Sequence, residues 1–167
     1  MTARFAIRPA GGAADLADAT RLFRLYAASL PIDLGYQGFG EELAGLPGKY
    51  APPAGALLIA RDEGGAAIGC VALRPIPGDG VCEMKRLYVL PEARGLGLGG
   101  ALIAAIVAAA RTAGYAEMRL DTLPTMQAAL AMYARAGFRE IPAYYPTPIA
   151  GTIFMALALL GSDASSI

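Results

Sequence analysis

The stretch Val81-Cys82-Glu83-Met84-Lys85-Arg86-Leu87-Tyr88-Val89, then Leu90-Pro91-Glu92-Ala93, then Arg94-Gly95-Leu96-Gly97-Leu98-Gly99-Gly100, decides how the rest of the chain is read. The first part is strand-like, and the glycine run leads straight into an alanine-rich helix from about Gly97 to Ala113. Glycines at a strand-to-helix junction let backbone N–H groups turn inward, because no Cβ blocks a bulky anion. The helix adds the positive end of its dipole. The loop is therefore a ready site for a phosphate or pyrophosphate.

Taken literally, Gly95-x-Gly97-x-x-Gly100 matches the dinucleotide fingerprint, and Asp121 follows about 20 residues on, where a ribose-binding acid is expected. Three observations count against that reading. Leu90 to Arg94 separate the strand from the first glycine, too little chain follows Gly100 to complete a doubly wound sheet, and Ala101 stands where a P-loop needs lysine.

Composition narrows the remaining classes. The chain has 167 residues, 56% hydrophobic and 17% charged, with a formal net charge of zero and no histidine. This is globular, with material for one sizeable core. Residues 1–160 read as one domain and 161–167 as a loose tail. Without clustered Lys and Arg, nucleic acid is excluded as the main ligand. Without histidine, the commonest metal ligand and general base are missing, and no metal is expected. Cys70 and Cys82 lack zinc-ligand spacing and read as buried reduced thiols, with a cross-strand disulfide as the lesser alternative. The first residues carry no apolar leader. The apolar run from Gly95 to Ala110 is short of the roughly 20 residues a spanning helix needs. Prolines 142, 146 and 148 break the run from Ile141 to Ser162. A cytoplasmic protein that does not enter the membrane is the expectation, as monomer or homodimer.

The chain order reads as strand (Arg4 to Arg8), helix (Asp15 to Leu30), a weak helix or loop (Leu34 to Leu46), and three hairpin-linked strands (Ala56 to Arg61, Ala67 to Leu73, Val81 to Val89). The alanine-rich helix follows, capped by Gly114, then a strand from Glu117 to Asp121. A helix begins at Pro124 and stops at Gly137-Phe138, and a final strand spans Gly151 to Leu160. This predicts a mixed α/β domain whose first half is mainly antiparallel.

The segment from Cys82 to Gly100 resembles the acetyl-CoA-binding core of the GNAT N-acetyltransferase superfamily. Arg94, Gly97 and Gly99 fill that family's Q/R-x-x-G-x-G/A loop, and Leu87-Tyr88-Val89 with Pro91 form its usual lead-in. Downstream, Tyr133 stands four residues before Gly137-Phe138, which resembles the family's second hallmark. The resemblance runs from about Ile7 to Leu159. It implies a mostly antiparallel central sheet with one splayed parallel strand pair, flanked by about four helices.

The resemblance also implies roles. Amides of Gly95, Leu96, Gly97, Leu98, Gly99 and Gly100, with Arg94, would cradle the pyrophosphate of acetyl-CoA. Backbone groups of Leu87, Tyr88 and Val89 would pair with the pantetheine arm and offer one N–H to the thioester oxygen. Tyr133 would protonate the departing thiolate, since a phenol stays protonated at neutral pH. The attacking amine must lose a proton, to Glu83 or to a water relay. Even spacing puts Glu83 on one face with Leu87 and Val89 unless a bulge intervenes. Met126 occupies the place of a cofactor-contacting asparagine found in many members. Tyr36, Tyr50, Tyr144 and Tyr145 are candidates to line the acceptor pocket, and Asp33, Glu41 and Glu42 to attract an ammonium group. The expected activity is acetyl transfer from acetyl-CoA to a small-molecule or peptide amine. The rival is a non-catalytic acyl-CoA-binding module of the same fold. Nothing in the residues selects the amine.

Overall fold

The computed structural model describes residues 4–160, so the expected tail, 161–167, lies outside the described residues. Strand β1 (Phe5–Pro9) is followed by helix α1 (Gly12–Ala28), the short helix α2 (Phe39–Ala44), and strands β2 (Ala56–Asp62), β3 (Ala67–Pro75) and β4 (Val81–Val89). Then come α3 (Leu98–Thr112), β5 (Glu117–Thr122), α4 (Gln127–Arg135), β6 (Arg139–Ile141) and β7 (Ile153–Ala158). Among the described residues the strands form one seven-stranded sheet in the order β1-β2-β3-β4-β5-β7-β6. Every neighbouring pair is antiparallel except β4–β5.

The period-2 alternation of β2 sends its side chains to two cores. Leu57 and Ile59 pack with Ala19, Leu22 and Phe23 of α1, and Leu58 and Ala60 pack on the face that carries α3. On α3 the buried residues Leu98, Leu102, Ile103, Ile106, Val107 and Ala110 recur at helical spacing and cover that second face. Each fully buried Leu, Ile or Phe contributes about 1.5–3 kcal/mol by leaving water.

Both glycine-aromatic helix stops are Schellman motifs. Tyr115 N–H donates to the Ala110 carbonyl at 3.1 Å, and Gly114 has φ 92°. Phe138 N–H donates to the Tyr133 carbonyl at 3.0 Å, and Gly137 has φ 102°.

Three local expectations are corrected and one open alternative is resolved. The helix expected from Pro124 begins at Gln127, with Pro124 in the turn before it. The weak Leu34 to Leu46 segment resolves into a 3-10 turn and the six-residue α2, whose shortness reflects its glycines. The last strand is only Ile153–Ala158. Cys70 pairs across the sheet with Tyr88, and Cys82 with Pro75, so the two buried free thiols are not cross-strand neighbours.

A further correction matters for the site. The β3–β4 register slips between Cys70 and Ala72, and Arg86 opposite has φ 61°. Before the slip Cys82 and Met84 face α3; after it Leu87 and Val89 do. Glu83 therefore lies on the opposite face from Leu87 and Val89, because the bulge inverts the alternation.

Among the described residues, no helix is long and apolar enough to cross a membrane.

Candidate functional site

The parallel pair β4–β5 holds together only over Val81↔Glu117, Cys82↔Met118 and Glu83↔Arg119. Beyond Glu83 the strands diverge, and among the described residues no strand pairs with that edge of β4. The gap opens into a groove of about 1000 Å³. That is at the upper end of the roughly 300–1,000 Å³ typical of small-molecule sites.

The glycine loop forms one end of the groove. Gly95 (φ 85°) and Gly97 (φ 78°) adopt the left-handed conformation, which turns the chain into α3. Leu98, Gly99 and Gly100 are the first residues of α3, and no side chain caps its N-terminus. Their amides are the orphan donors of a helix start, reinforced by its dipole. A Cβ on Gly95, Gly97 or Gly100 would meet no atom within 4 Å, so the cradle is open. Gly99 instead packs closely on α4, where an added Cβ would come 2.6 Å from the Met132 sulfur. Arg94 stays beside the loop, its Nε donating to the Val89 carbonyl at 3.1 Å and its guanidinium 5.9 Å from the Tyr88 ring centroid.

The chain is formally neutral, yet its groove is not. Lys85, Arg86, Arg94, Arg111 and Arg135 line it against a single carboxylate, Asp121. Arg86 is balanced by Glu42 and Lys85 by Asp121, so the charge that favours a polyanion is that of Arg94, Arg111 and Arg135, which have no carboxylate partner among the described residues.

Tyr133 faces the middle of the groove from α4 and is 7% exposed. Its carbonyl is tied down by the Schellman motif and its ring meets Phe138 edge-on at 5.9 Å. The hydroxyl has no hydrogen-bond partner among the described residues. Burial pushes its pKa up, with smaller contributions from Tyr26 and Asp121, so the phenol holds its proton and has it free to donate.

At the other end the groove passes through the sheet to the face carrying α1 and α2. Arg86, bent there by the bulge, donates to both Glu42 carboxylate oxygens at 2.9 and 2.8 Å and to Gln37 at 3.0 Å. Its guanidinium lies over the Phe39 ring at 5.1 Å. Lys85 donates to Gln37 at 3.1 Å and stands 3.7 Å from Asp121 and 3.9 Å from Glu83. Burial pulls the Lys85 pKa down, and the neighbouring carboxylates Asp121 and Glu83 partly restore it. Glu83 accepts from Arg74 at 3.0 Å and from the Tyr144 hydroxyl at 2.5 Å, while the Tyr145 hydroxyl donates to Asp121. Consecutive tyrosines thus hold one carboxylate on each of the diverging strands.

Of the residues expected from the sequence, Leu87, Tyr88, Val89, Arg94, Gly95, Gly97, Leu98, Gly99, Gly100, Met126 and Tyr133 all line the groove. Leu96 does not; its side chain is 55% exposed. Glu83, 2% exposed, also lies outside the lining. Tyr144 and Tyr145 act behind the carboxylates rather than on the cavity wall, and Tyr50 is in the α1 core. Tyr36 borders a small adjoining cleft of about 30 Å³. Asp33 caps Gly35 at 2.7 Å, Glu42 serves Arg86, and Glu41 is exposed.

Sequence reasoning missed Lys85, Arg86, Asp121, Arg111 and Arg135 as groove residues. The two last look like ordinary helix-terminal cations, each in the final turn of its helix. Among the described residues no group of three or more His, Cys, Asp or Glu side chains could hold a metal ion.

Comparison with known proteins agrees with this architecture. Residues 20–138 match the acetyltransferase (GNAT) family. The chain is 45% identical over 145 residues to an uncharacterized N-acetyltransferase of Schizosaccharomyces pombe, covering 87% of this chain and 89% of that one. In structure it is similar to an acetyltransferase of the GNAT family from Staphylococcus aureus (TM-score 0.75, 18% identity, 93% and 99% covered). It is also similar to a phosphinothricin acetyltransferase from Sinorhizobium meliloti in complex with acetyl-CoA (TM-score 0.68, 21% identity, 93% and 88% covered). With the groove at a splayed parallel pair and the family match over most of its length, the chain is a member of the GNAT superfamily of N-acetyltransferases.

Proposed function

We propose that the groove binds acetyl-CoA and that the protein transfers its acetyl group to a primary amine by direct attack. One observation carries this reading: the open edge of β4, the uncapped start of α3 and the free hydroxyl of Tyr133 all face one cavity that Arg94, Arg111 and Arg135 also line.

Amides of the segment from Gly95 to Gly100, Leu96 included through its backbone, would hold the pyrophosphate, with Arg94 beside them. Arg111 and Arg135 supply further positive charge along the wall. Leu87, Tyr88 and Val89 would pair through their backbone with the amide-bearing arm, and Met126 would pack on it. When bound, acetyl-CoA supplies the activated acyl group. An N–H of the β4 edge would stabilise the oxyanion, and Tyr133 would give its proton to the leaving sulfur. Glu83 enters this reading as a positioning residue: its oxygens are engaged by Arg74 and Tyr144, and it steadies Lys85 beside the groove.

Thermal shift and calorimetry with acetyl-CoA, CoA and NAD, followed by thiol-release assays over a panel of amines, test the reading. Binding of both CoA species with amine-dependent thiol release is the expected result. Stabilisation by NAD and not by CoA would overturn it. Binding without release for any amine would leave a non-catalytic acyl-CoA-binding module.

A further inference from the structure

The ion pair at the head of the groove has unused bonding capacity on both sides. The Lys85 side chain is 4% exposed and that of Asp121 10%, and their 3.7 Å separation is too long for a hydrogen bond. An ammonium has three N–H donors, and Lys85 spends one, on Gln37. Asp121 takes the Tyr145 hydroxyl on Oδ2, and no described residue donates a hydrogen bond to its Oδ1. Lys85 and Asp121 both line the groove. The other carboxylate beside Lys85, Glu83, is already bonded to Arg74 and Tyr144 and does not. Arg86, the next cation, is committed to Glu42 and Gln37. The cavity head therefore presents one open cation and one open anion side by side.

We propose that Lys85 and Asp121 recognise the acetyl acceptor, and that this acceptor is an amine carrying its own carboxylate nearby, an α- or β-amino acid. The proposal rests on the acetyltransferase reading above. A plain alkylammonium could bond Asp121 only by standing next to Lys85, and a plain carboxylate could bond Lys85 only by standing next to Asp121. Like charges so placed repel with little solvent to screen them. A zwitterion meets both: its ammonium lies on Asp121 Oδ1, its carboxylate on Lys85 Nζ, and the four charges alternate around a closed ring.

The same placement accounts for the protons. The ammonium yields one proton to Asp121 Oδ1, and the freed amine nitrogen bonds to the thioester carbon. The carbon–sulfur bond breaks, and the sulfur leaves with the proton of Tyr133. The second amine proton is released to solvent as the amide forms, and the Asp121 proton restores Tyr133 through groove water. The sum is ammonium plus thioester giving amide, thiol and one proton. The acetylated product keeps its carboxylate and has lost its cation, so Asp121 no longer attracts it.

Steady-state thiol release by the wild-type protein tests this directly, comparing α-amino acids with the amines of the same side chain lacking the carboxylate, and with their carboxamides. The carboxylate-bearing series is expected to show kcat/KM at least about tenfold higher, the scale of one well-placed charged contact. Lys85→Met is expected to erase that preference chiefly through the acceptor KM while acetyl-CoA affinity stays within about twofold. Decarboxylated amines or carboxamides that match the amino acids overturn the proposal, and this outcome needs no variant. A Lys85→Met protein that binds acetyl-CoA normally but keeps the preference also overturns it. Acetyl-CoA binding with no thiol release for any of the amines removes the acetyltransferase reading itself and is a different pattern from either.

Discussion

The Tyr133 carbonyl accepts the amide hydrogen of Phe138 at 3.0 Å, and that bond is the closing turn of α4. A tyrosine four residues before Gly-Phe is thus not an arbitrary spacing. It places the tyrosine where the helix end is pinned by its own capping motif, with the Phe138 ring braced against it. The free hydroxyl above this anchor leads to the first prediction. Tyr133→Phe should lower amine acetylation by about 10²-fold or more, the usual scale for loss of a general acid. Because the hydroxyl has no partner to lose, thermal stability and acetyl-CoA affinity should hardly change. Calorimetry and thiol release on the same preparation check both halves.

The anchor itself can be disturbed without touching Tyr133. Gly137 has φ 102°, and an added Cβ would lie 3.2 Å from Leu157 Cδ1. Gly137→Ala should cost about 1–2 kcal/mol for the left-handed backbone. It should also reduce kcat more than it raises KM for acetyl-CoA, because the ring it supports moves. Urea unfolding and full kinetics separate the two effects.

At the other end of the groove, stability and binding should move in opposite directions. Gly100 is in the first turn of α3, and a Cβ there meets no protein atom within 4 Å. Gly100→Ala should leave the fold as stable or raise it by up to about 1 kcal/mol. The methyl occupies the open cradle, so acetyl-CoA binding should weaken, by tenfold or more in calorimetry. A variant equally tight in binding would show that the helix start is not the anion site.

Arg86 sits at φ 61°, a backbone state that costs a residue with a side chain about 1–2 kcal/mol. Its side chain is 1% exposed and Glu42 is its only carboxylate partner among the described residues. Glu42→Ala leaves that buried charge unpaired and should destabilise the protein by about 3–5 kcal/mol. Glu42→Gln, which keeps one acceptor, should lose less. Denaturant midpoints rank the two.

Burial pushes the thiols of Cys70 and Cys82 up to about 12. Neither should react with iodoacetamide at pH 8 in the folded protein, and both should react after denaturation, as mass spectrometry would count. In the unfolded chain thiols ionise near pH 8.5, so between about 8.5 and 12 the folded state binds more protons than the unfolded one. Stability should therefore fall as pH rises through that window, and Cys70→Ala should make the fall shallower.

What could be read from the chain followed the range of the interaction concerned. The glycine loop, the two helix stops and the β4 strand are each decided by adjacent residues, and they stand where the sequence put them. The side chain at the Arg86 bulge is held by Glu42 and Gln37, from a glycine-rich segment too weakly patterned to locate, so adjacent residues do not reveal the slip that turns Glu83 to the other face. Lys85 and Asp121 meet only because β4 and β5 run parallel for three residue pairs before parting. Neither strand alone carries that information. Tyr144 and Tyr145 were legible as a pair of aromatic hydroxyls, but which carboxylates they serve is a property of the closed sheet.

The brevity of the β4–β5 pairing also bears on the mechanics of the molecule. Four strands lie on one side of it and three on the other, and only three residue pairs stitch the halves together along the sheet. Tyr144 and Tyr145 reinforce that seam from the α1 side. A ligand lying along the free edge of β4 would extend the seam from the α3 side and act as a removable rib. The empty protein should then be the more compliant one. Slowed amide exchange on ligand binding in β6, none of whose residues line the groove, would record the stiffening.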